Sequence, residues 1–202
     1  MSSCDPQYDF RSKYLTRNPV AQWLINAFYQ SAHSMLRGID PSSVLEVGCG
    51  EGFSTARLRQ MLPSSTMFEA SEVERRLLPA ARARNPNVEI SLESIYALER
   101  DAASFDLVVC LEVLEHLERP SEALAELARV ANKWLLLSVP REPLWRVMNM
   151  ARLRHWSQLG NTPGHVQHWS KAGFLAFVST RVTPIEVHTP IPWTQILGKI
   201  RR

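Results

Sequence analysis

The stretch Val44-Leu45-Glu46-Val47-Gly48-Cys49-Gly50-Glu51-Gly52 is an apolar strand that runs into a turn with glycine at every second position. Glycine lets the backbone take tight-turn angles and lets a ligand approach where a Cβ would otherwise stand. Dinucleotide enzymes use G-x-G-x-x-G so that a helix N-terminus meets a pyrophosphate. Here the glycines are 48, 50 and 52, and Phe53 holds the slot that pattern reserves for Gly or Ala. The ligand to expect is a nucleoside without a pyrophosphate. Its ribose needs a partner about 20 residues further on, at the end of the second strand, and Glu69 stands 21 positions after Gly48. A carboxylate accepts two hydroxyl hydrogen bonds at once, which suits the 2′ and 3′ oxygens.

A second set of reactive groups is titratable. Glu112, Glu115 and His116 are spaced so that a helical turn gathers them on one side. His165 and His168 lie in Gly164-His165-Val166-Gln167-His168-Trp169-Ser170, a loop leading into a helix. Histidine suits proton transfer near neutral pH, so His116, His165 and His168 are the candidate bases.

The elements that must position these groups follow a βαβ rhythm from Val44 to Val139. Strands are expected at Val44–Val47, Thr66–Ala70, Val88–Ser91, Phe105–Leu111 and Trp134–Val139. Helices are expected after the glycine turn through Leu62, over Glu72–Arg84 up to Asn85-Pro86, and over Ser121–Val130 behind Pro120. Phe105–Leu111 is almost wholly apolar, as a strand covered on both faces should be. Asn18–Leu36 reads as an N-terminal helix, Arg141–Asn161 as an irregular basic and aromatic stretch, Ser170 as the start of a helix, and Val182–His188 as β-like. Pro192–Arg202 fits either a seventh strand or a short helix. The division expected is one domain over 1–202, with a helical cap at 1–40, a cofactor-binding core at 43–140 and an acceptor-side lid at 141–170.

Composition bounds the rest. The 202 residues are 45% hydrophobic and 21% charged, ordinary for a globular domain with a real core. A net charge of +3 is compatible with an acidic acceptor and far from a nucleic-acid footprint, so no DNA partner is expected. Cys4, Cys49 and Cys110 form no CxxC pair or metal-ligand spacing, which points to a reduced, cytoplasmic protein. Met1–Arg11 is polar and does not read as a signal peptide. No apolar run reaches the ~18–20 residues of a membrane span.

Taken together these motifs resemble the type 11 group of class I methyltransferases that use S-adenosylmethionine (SAM). The resemblance covers Val44–Pro140 and rests on VLEVGCGEG, on Glu69-Ala70-Ser71, and on Ser104-Phe105-Asp106-Leu107-Val108-Val109-Cys110 followed by Glu112-Val113-Leu114-Glu115-His116-Leu117. It implies a single Rossmann-like α/β domain with a mostly parallel sheet of six or seven strands flanked by helices. It implies that Glu46, Gly48, Cys49, Gly50 and Gly52 line the methionine and ribose portion of SAM. Glu69, Ala70 and Ser71 would sit at the acidic strand end, and Leu111 and Glu112 would complete the cofactor side. Many relatives carry an aspartate for the adenine amine where this chain has Ser94, preceded by Glu93, and Ile95 is expected to pack on the ring. The usual LPF is Leu98-Glu99-Arg100 here, and Asp106 is expected to be structural.

The resemblance also implies a small-molecule methyl acceptor, with O or N as the methylated atom. The E-x-x-E-H pattern is similar to one in ubiquinone-pathway and small-RNA methyltransferases, where it forms a divalent-metal site. His165 would then join Glu112, Glu115 and His116, although E-V-L-E-H-L also occurs in enzymes without metal, and the expectation adopted is no metal. Trp145, Met148, Met150, Leu153 and Trp156, interleaved with Arg146, Arg152, Arg154 and His155, would form a lid over the acceptor or touch a membrane surface peripherally. Tyr8, Phe10 and Tyr14 would close the cofactor from the other end. An RNA or lipid-linked-glycan methyltransferase and a catalytically silent SAM-binding accessory protein are the competing classes.

Overall fold

In the computed structural model, residues 14–152 and 158–201 are described. Helix α1, Pro19–Leu36, opens on Asn18, whose side chain accepts from the backbone N–H groups of Val20 and Ala21, and on a proline that needs no partner for its missing N–H. Then follow β1 (Ser43–Val47), α2 (Phe53–Met61), β2 (Met67–Glu72), α3 (Leu78–Arg84), β3 (Glu89–Leu92), β4 (Phe105–Leu111) and α4 (Pro120–Val130). The chain closes with β5 (Ala131–Pro140), α5 (Leu144–Ala151), α6 (Lys171–Val178), β6 (Val182–His188) and β7 (Trp193–Ile200). Ser170 caps α6 by accepting from the Gly173 N–H.

The seven strands form one sheet in the order β3-β2-β1-β4-β5-β7-β6. The first five neighbours pair in parallel, while β7 runs antiparallel between β5 and β6. Every residue of β4 is buried, because helices cover both faces at the centre of the sheet. One core, with Leu24, Phe28, Met35, Leu58 and Leu107, lies under α1, α2 and α3. The other, with Leu45, Val108, Leu124, Leu127 and Phe174, lies under α4 and α6. Strand order reverses between β1 and β4, so the crevice at their carboxyl ends is where a ligand is received.

Two expectations change and one alternative is decided. Strand β2 runs two residues past Ala70, to Glu72, because it keeps pairing with β1 and β3. The stretch after Arg141 contains a helix, α5, rather than irregular chain throughout. The last residues form a strand, since β5 offers β7 a full antiparallel edge from Trp134 to Pro140. Among the described residues no helix is long and apolar enough to cross a membrane. Tyr8, Phe10, Leu153, Arg154, His155 and Trp156 lie outside the described residues.

Candidate functional site

The three glycines of the turn serve three different ends. All have positive φ: 79° at Gly48, 57° at Gly50 and 78° at Gly52. A Cβ on Gly48 would stand 2.5 Å from Val113 Cγ2, so this glycine lets the segment after β4 close onto the turn. A Cβ on Gly52 would meet Asn85 Nδ2 at 2.3 Å and the Ala81 backbone, so this one brings α2 against α3. A Cβ on Gly50 would meet no atom within 4 Å. Gly50 therefore faces the open side of the turn, the side left for a ligand. The turn is held from below, where the Ser71 carbonyl accepts from the N–H groups of Gly48 and Cys49. Glu46 is buried behind it and accepts from the Thr55 hydroxyl at 2.5 Å. Burial raises its carboxyl to about 7, against the pull of the Ser54 and Thr55 hydroxyls and with a further push from Glu72.

Glu69, the residue expected to hold the ribose, lies within β2 and not at its end. Glu69 lies opposite Leu45 in mid-sheet, three residues before β2 ends. Its carboxylate is 3.1 Å from the Arg100 guanidinium, which also pairs with Glu93 at 3.0 Å. Glu72 is the carboxylate at the strand end. It accepts from the Gly50 N–H at 2.7 Å with one oxygen and from the Glu74 N–H at 2.9 Å with the other. Each carboxylate oxygen has a second lone pair, so two ribose hydroxyls can still be received. The helix after β2 begins at Leu78, behind a short 3₁₀ turn at Arg75–Leu77, so a strand end at Ala70 leaves the intervening residues without a role.

Around that point, Val73 is 61% exposed beside Glu72, an apolar surface next to the carboxylate. Ser94 follows β3, and its hydroxyl accepts from the Tyr96 N–H at 3.3 Å. Ile95 is buried and packs in the core with Leu98 and Phe105. Ala70 and Ser71 are fully buried within β2 and support the turn from below. Tyr14 stacks on Phe53, ring centroids 4.7 Å apart, and its hydroxyl bonds that of Tyr29, so it stands beside the start of α2. Asp106 accepts from the Ser42 N–H and from Asn132 Nδ2, the structural part expected of it.

The segment after β4 carries the titratable groups. Leu111 ends the strand, and Glu112 takes φ 59°, an uncommon left-handed conformation for a residue with a side chain. Its carboxylate turns toward β5 and β7, accepting from the Ser138 hydroxyl and the Trp193 indole N–H. It therefore does not point to a shared site with Glu115 and His116, which sit on the next turn, Leu114–His116. The histidine loop is fastened to this turn because the Glu115 carbonyl accepts from the N–H groups of Val166 and Gln167. That places the His165 ring edge-on to His116, centroids 4.8 Å apart, and stacks it on Trp145 at 5.8 Å. His116 Nδ1 lies 3.0 Å from the Gly164 carbonyl. A carbonyl only accepts, so Nδ1 carries a proton, and in the neutral ring the lone pair is on Nε2. Glu115, His116 and His165 offer possible metal-ligand atoms within 4.8 Å of one another. His168 is not brought to this group; its Nδ1 faces Glu142 Oε1 at 3.8 Å.

A seven-stranded sheet with this order, a glycine turn after β1 and a carboxylate at the end of β2 define the class I SAM-dependent methyltransferase fold. Residues 23–176 match the family described as a methyltransferase domain. The mitochondrial ubiquinone biosynthesis O-methyltransferase of Schizosaccharomyces pombe is 26% identical over 118 residues, 55% of this chain and 43% of that protein. The ubiquinone biosynthesis O-methyltransferase of Paracidovorax citrulli is 31% identical over 100 residues, 47% of this chain and 42% of that one. The chain thus matches less than half the length of these curated relatives. Among solved structures, a SAM-dependent methyltransferase from Aquifex aeolicus superposes with TM-score 0.71 at 16% identity, over 96% of this chain and 100% of that one. The N-methyltransferase NodS of Bradyrhizobium japonicum, in complex with S-adenosyl-L-homocysteine, gives 0.66 at 18% identity over 96% and 94%. The chain belongs to the methyltransferase-domain family.

Proposed function

We propose that this domain transfers the methyl group of SAM to an oxygen or nitrogen of a small-molecule acceptor by in-line displacement. The observation that carries the reading is the Glu72–Gly50 pair, which sets a carboxylate beside the one glycine of the turn that faces open space. When bound, the cofactor supplies an electrophilic methyl group on a sulfonium. Glu72 takes the ribose hydroxyls, Val73 and Ser94 border the adenine, and Glu46 with Gly48 and Gly50 underlies the methionine end; Ile95, packed in the core, has no part in holding the ring. Holding acceptor and donor in line supplies up to ~7–11 kcal/mol of the acceleration. His116 Nε2 takes the acceptor's proton, His165 fixes the ring from the side, and His168 has no part in the step. Small molecules are favoured over RNA by the mild charge of the chain and by the acceptors that the ubiquinone-pathway names imply. Calorimetry tests the reading: SAM and S-adenosylhomocysteine should each bind 1:1. Binding of NAD in place of both would overturn it.

A second reading is favoured by the clustering of Glu115, His116 and His165. Two imidazoles and a carboxylate could hold a divalent cation, which would orient an acceptor hydroxyl and lower its pKa. Loss of turnover in chelator, restored by Zn²⁺ or Mg²⁺, would establish it against the base.

A further inference from the structure

Helix α1 carries no Asp, Glu, Lys or Arg over its 18 residues, and the chain has no carboxylate side chain from Tyr14 to Ile39. Leu24, Phe28 and Met35 bury one face of the helix in the core. On the opposite face Trp23 is 60% exposed, with Val20 at 61% one turn before it and Leu15 at 66% just ahead of the helix. Tryptophan is highly buried on average, and Trp23 is the one exposed tryptophan among the described residues. The charges around this apolar group have one sign. Arg17 is exposed beside the cap Asn18, and Arg57 of α2 donates to Asn26 Oδ1 at 3.3 Å and lies over the Tyr29 ring at 4.7 Å. Helix α2 also lacks a carboxylate. Glu186 stands by Gly38, past the far end of α1, so the positive end of this face is the end that holds Trp23. Trp145 and Met148, candidates from the sequence for a membrane contact, pack against the core instead.

We propose that Leu15, Arg17, Val20 and Trp23 form a docking face by which the domain rests on a bilayer containing anionic lipid. Each part suits a different layer of that surface. An indole favours the boundary between headgroups and acyl chains, where its ring is in an apolar medium and its N–H still finds a partner. Leu15 and Val20 enter beside it, while the neighbouring Gln22 and Asn26 have no charge to desolvate. Arg17 and Arg57 meet lipid phosphates. An interfacial helix is held by this pairing of buried apolar area with attraction to anionic headgroups. RNA is gripped by many more cations than the two at this end of α1. A protein partner that fills an apolar patch does not require the rim to be free of carboxylates. Tyr14, next to Leu15, stacks on Phe53 at the start of α2, which ties the docking face to the glycine turn.

The test uses the full chain and vesicles of phosphatidylcholine, alone or mixed in equal parts with phosphatidylglycerol. The wild type should bind the mixed vesicles about tenfold more tightly than phosphatidylcholine, read by co-sedimentation, and raised salt should weaken that binding. Brominated lipid in the mixed vesicles should quench part of the tryptophan emission. Trp23→Ala should lose that quenching and about tenfold of the vesicle affinity, with the melting temperature unchanged because the side chain is exposed. Trp23→Phe keeps an aromatic ring and should retain most of the binding. Arg17→Glu should lose the preference for anionic lipid and keep the binding to phosphatidylcholine. A wild type that ignores both kinds of vesicle, or a Trp23→Ala variant that binds them as the wild type does, would overturn the proposal. So would salt-sensitive binding of RNA without binding of vesicles, or a dimer that Trp23→Ala dissolves in a protein that binds no vesicle. Vesicle binding in a protein that binds no SAM would overturn the methyltransferase reading and leave this inference standing.

Discussion

Glu72 and Gly50, 22 residues apart, are joined by a 2.7 Å hydrogen bond from the Gly50 N–H to the Glu72 carboxylate. This bond fixes the geometry between the glycine turn and the end of β2. It also separates Glu72 from Glu69, whose carboxylate is held by Arg100.

Glu72→Ala should therefore weaken SAM binding by about 1.5–3 kcal/mol, roughly ten- to a hundredfold. Glu69→Ala should leave the affinity within about twofold, since Arg100 keeps Glu93 as a partner. Calorimetry on both variants decides the matter. The reverse pattern would return the ribose to Glu69.

The glycines should separate in the same way. Gly50→Ala and Gly52→Ala both place a side chain at positive φ, which costs about 1–2 kcal/mol each. Only at Gly52 does the new Cβ collide with Asn85 and Ala81, so this variant should lose several degrees more of thermal stability. Gly50→Ala should lose cofactor affinity instead. Thermal melts and calorimetry read the two effects apart.

Glu46 makes stability depend on pH. Its folded pKa is raised by burial from 4.5 to about 7, so the native state binds more protons than the unfolded chain between those values. Stability from this group is thus undiminished below pH 4.5, falls as pH rises toward 7, and levels off above, a loss of about 3 kcal/mol. In the ligand-free protein Glu46→Gln should flatten this fall and raise the melting temperature at pH 8. An unchanged slope between pH 5 and 7 would assign the dependence to another group.

His116→Ala should lower turnover by about a hundredfold while leaving SAM affinity intact. His168→Ala should keep near-normal turnover, because its ring faces Glu142. If the fall in His116→Ala is matched by a fall in the wild type on adding chelator, the metal reading takes its place.

Much of this protein was written locally. The apolar run of β4 and the caps at Asn18 and Ser170 are local signals that the fold keeps. The glycine turn was legible because positive φ and an open ligand face leave few residue types to choose from. What the chain alone left open depends on partners distant in sequence. Whether β2 ends at Ala70 or Glu72 is settled by β1 and β3 on either side of it, and whether Pro192–Arg202 forms a strand is settled by the free edge of β5. Glu112 reads as one ligand of E-x-x-E-H until Ser138 and Trp193 take its two oxygens, at separations of 26 and 81 residues. His165 and His116, likewise, meet only because the Glu115 carbonyl receives two N–H groups from the histidine loop. Hydrogen bonds of that span leave no periodicity in the chain, so only the folded sheet decides which partners each carboxylate meets.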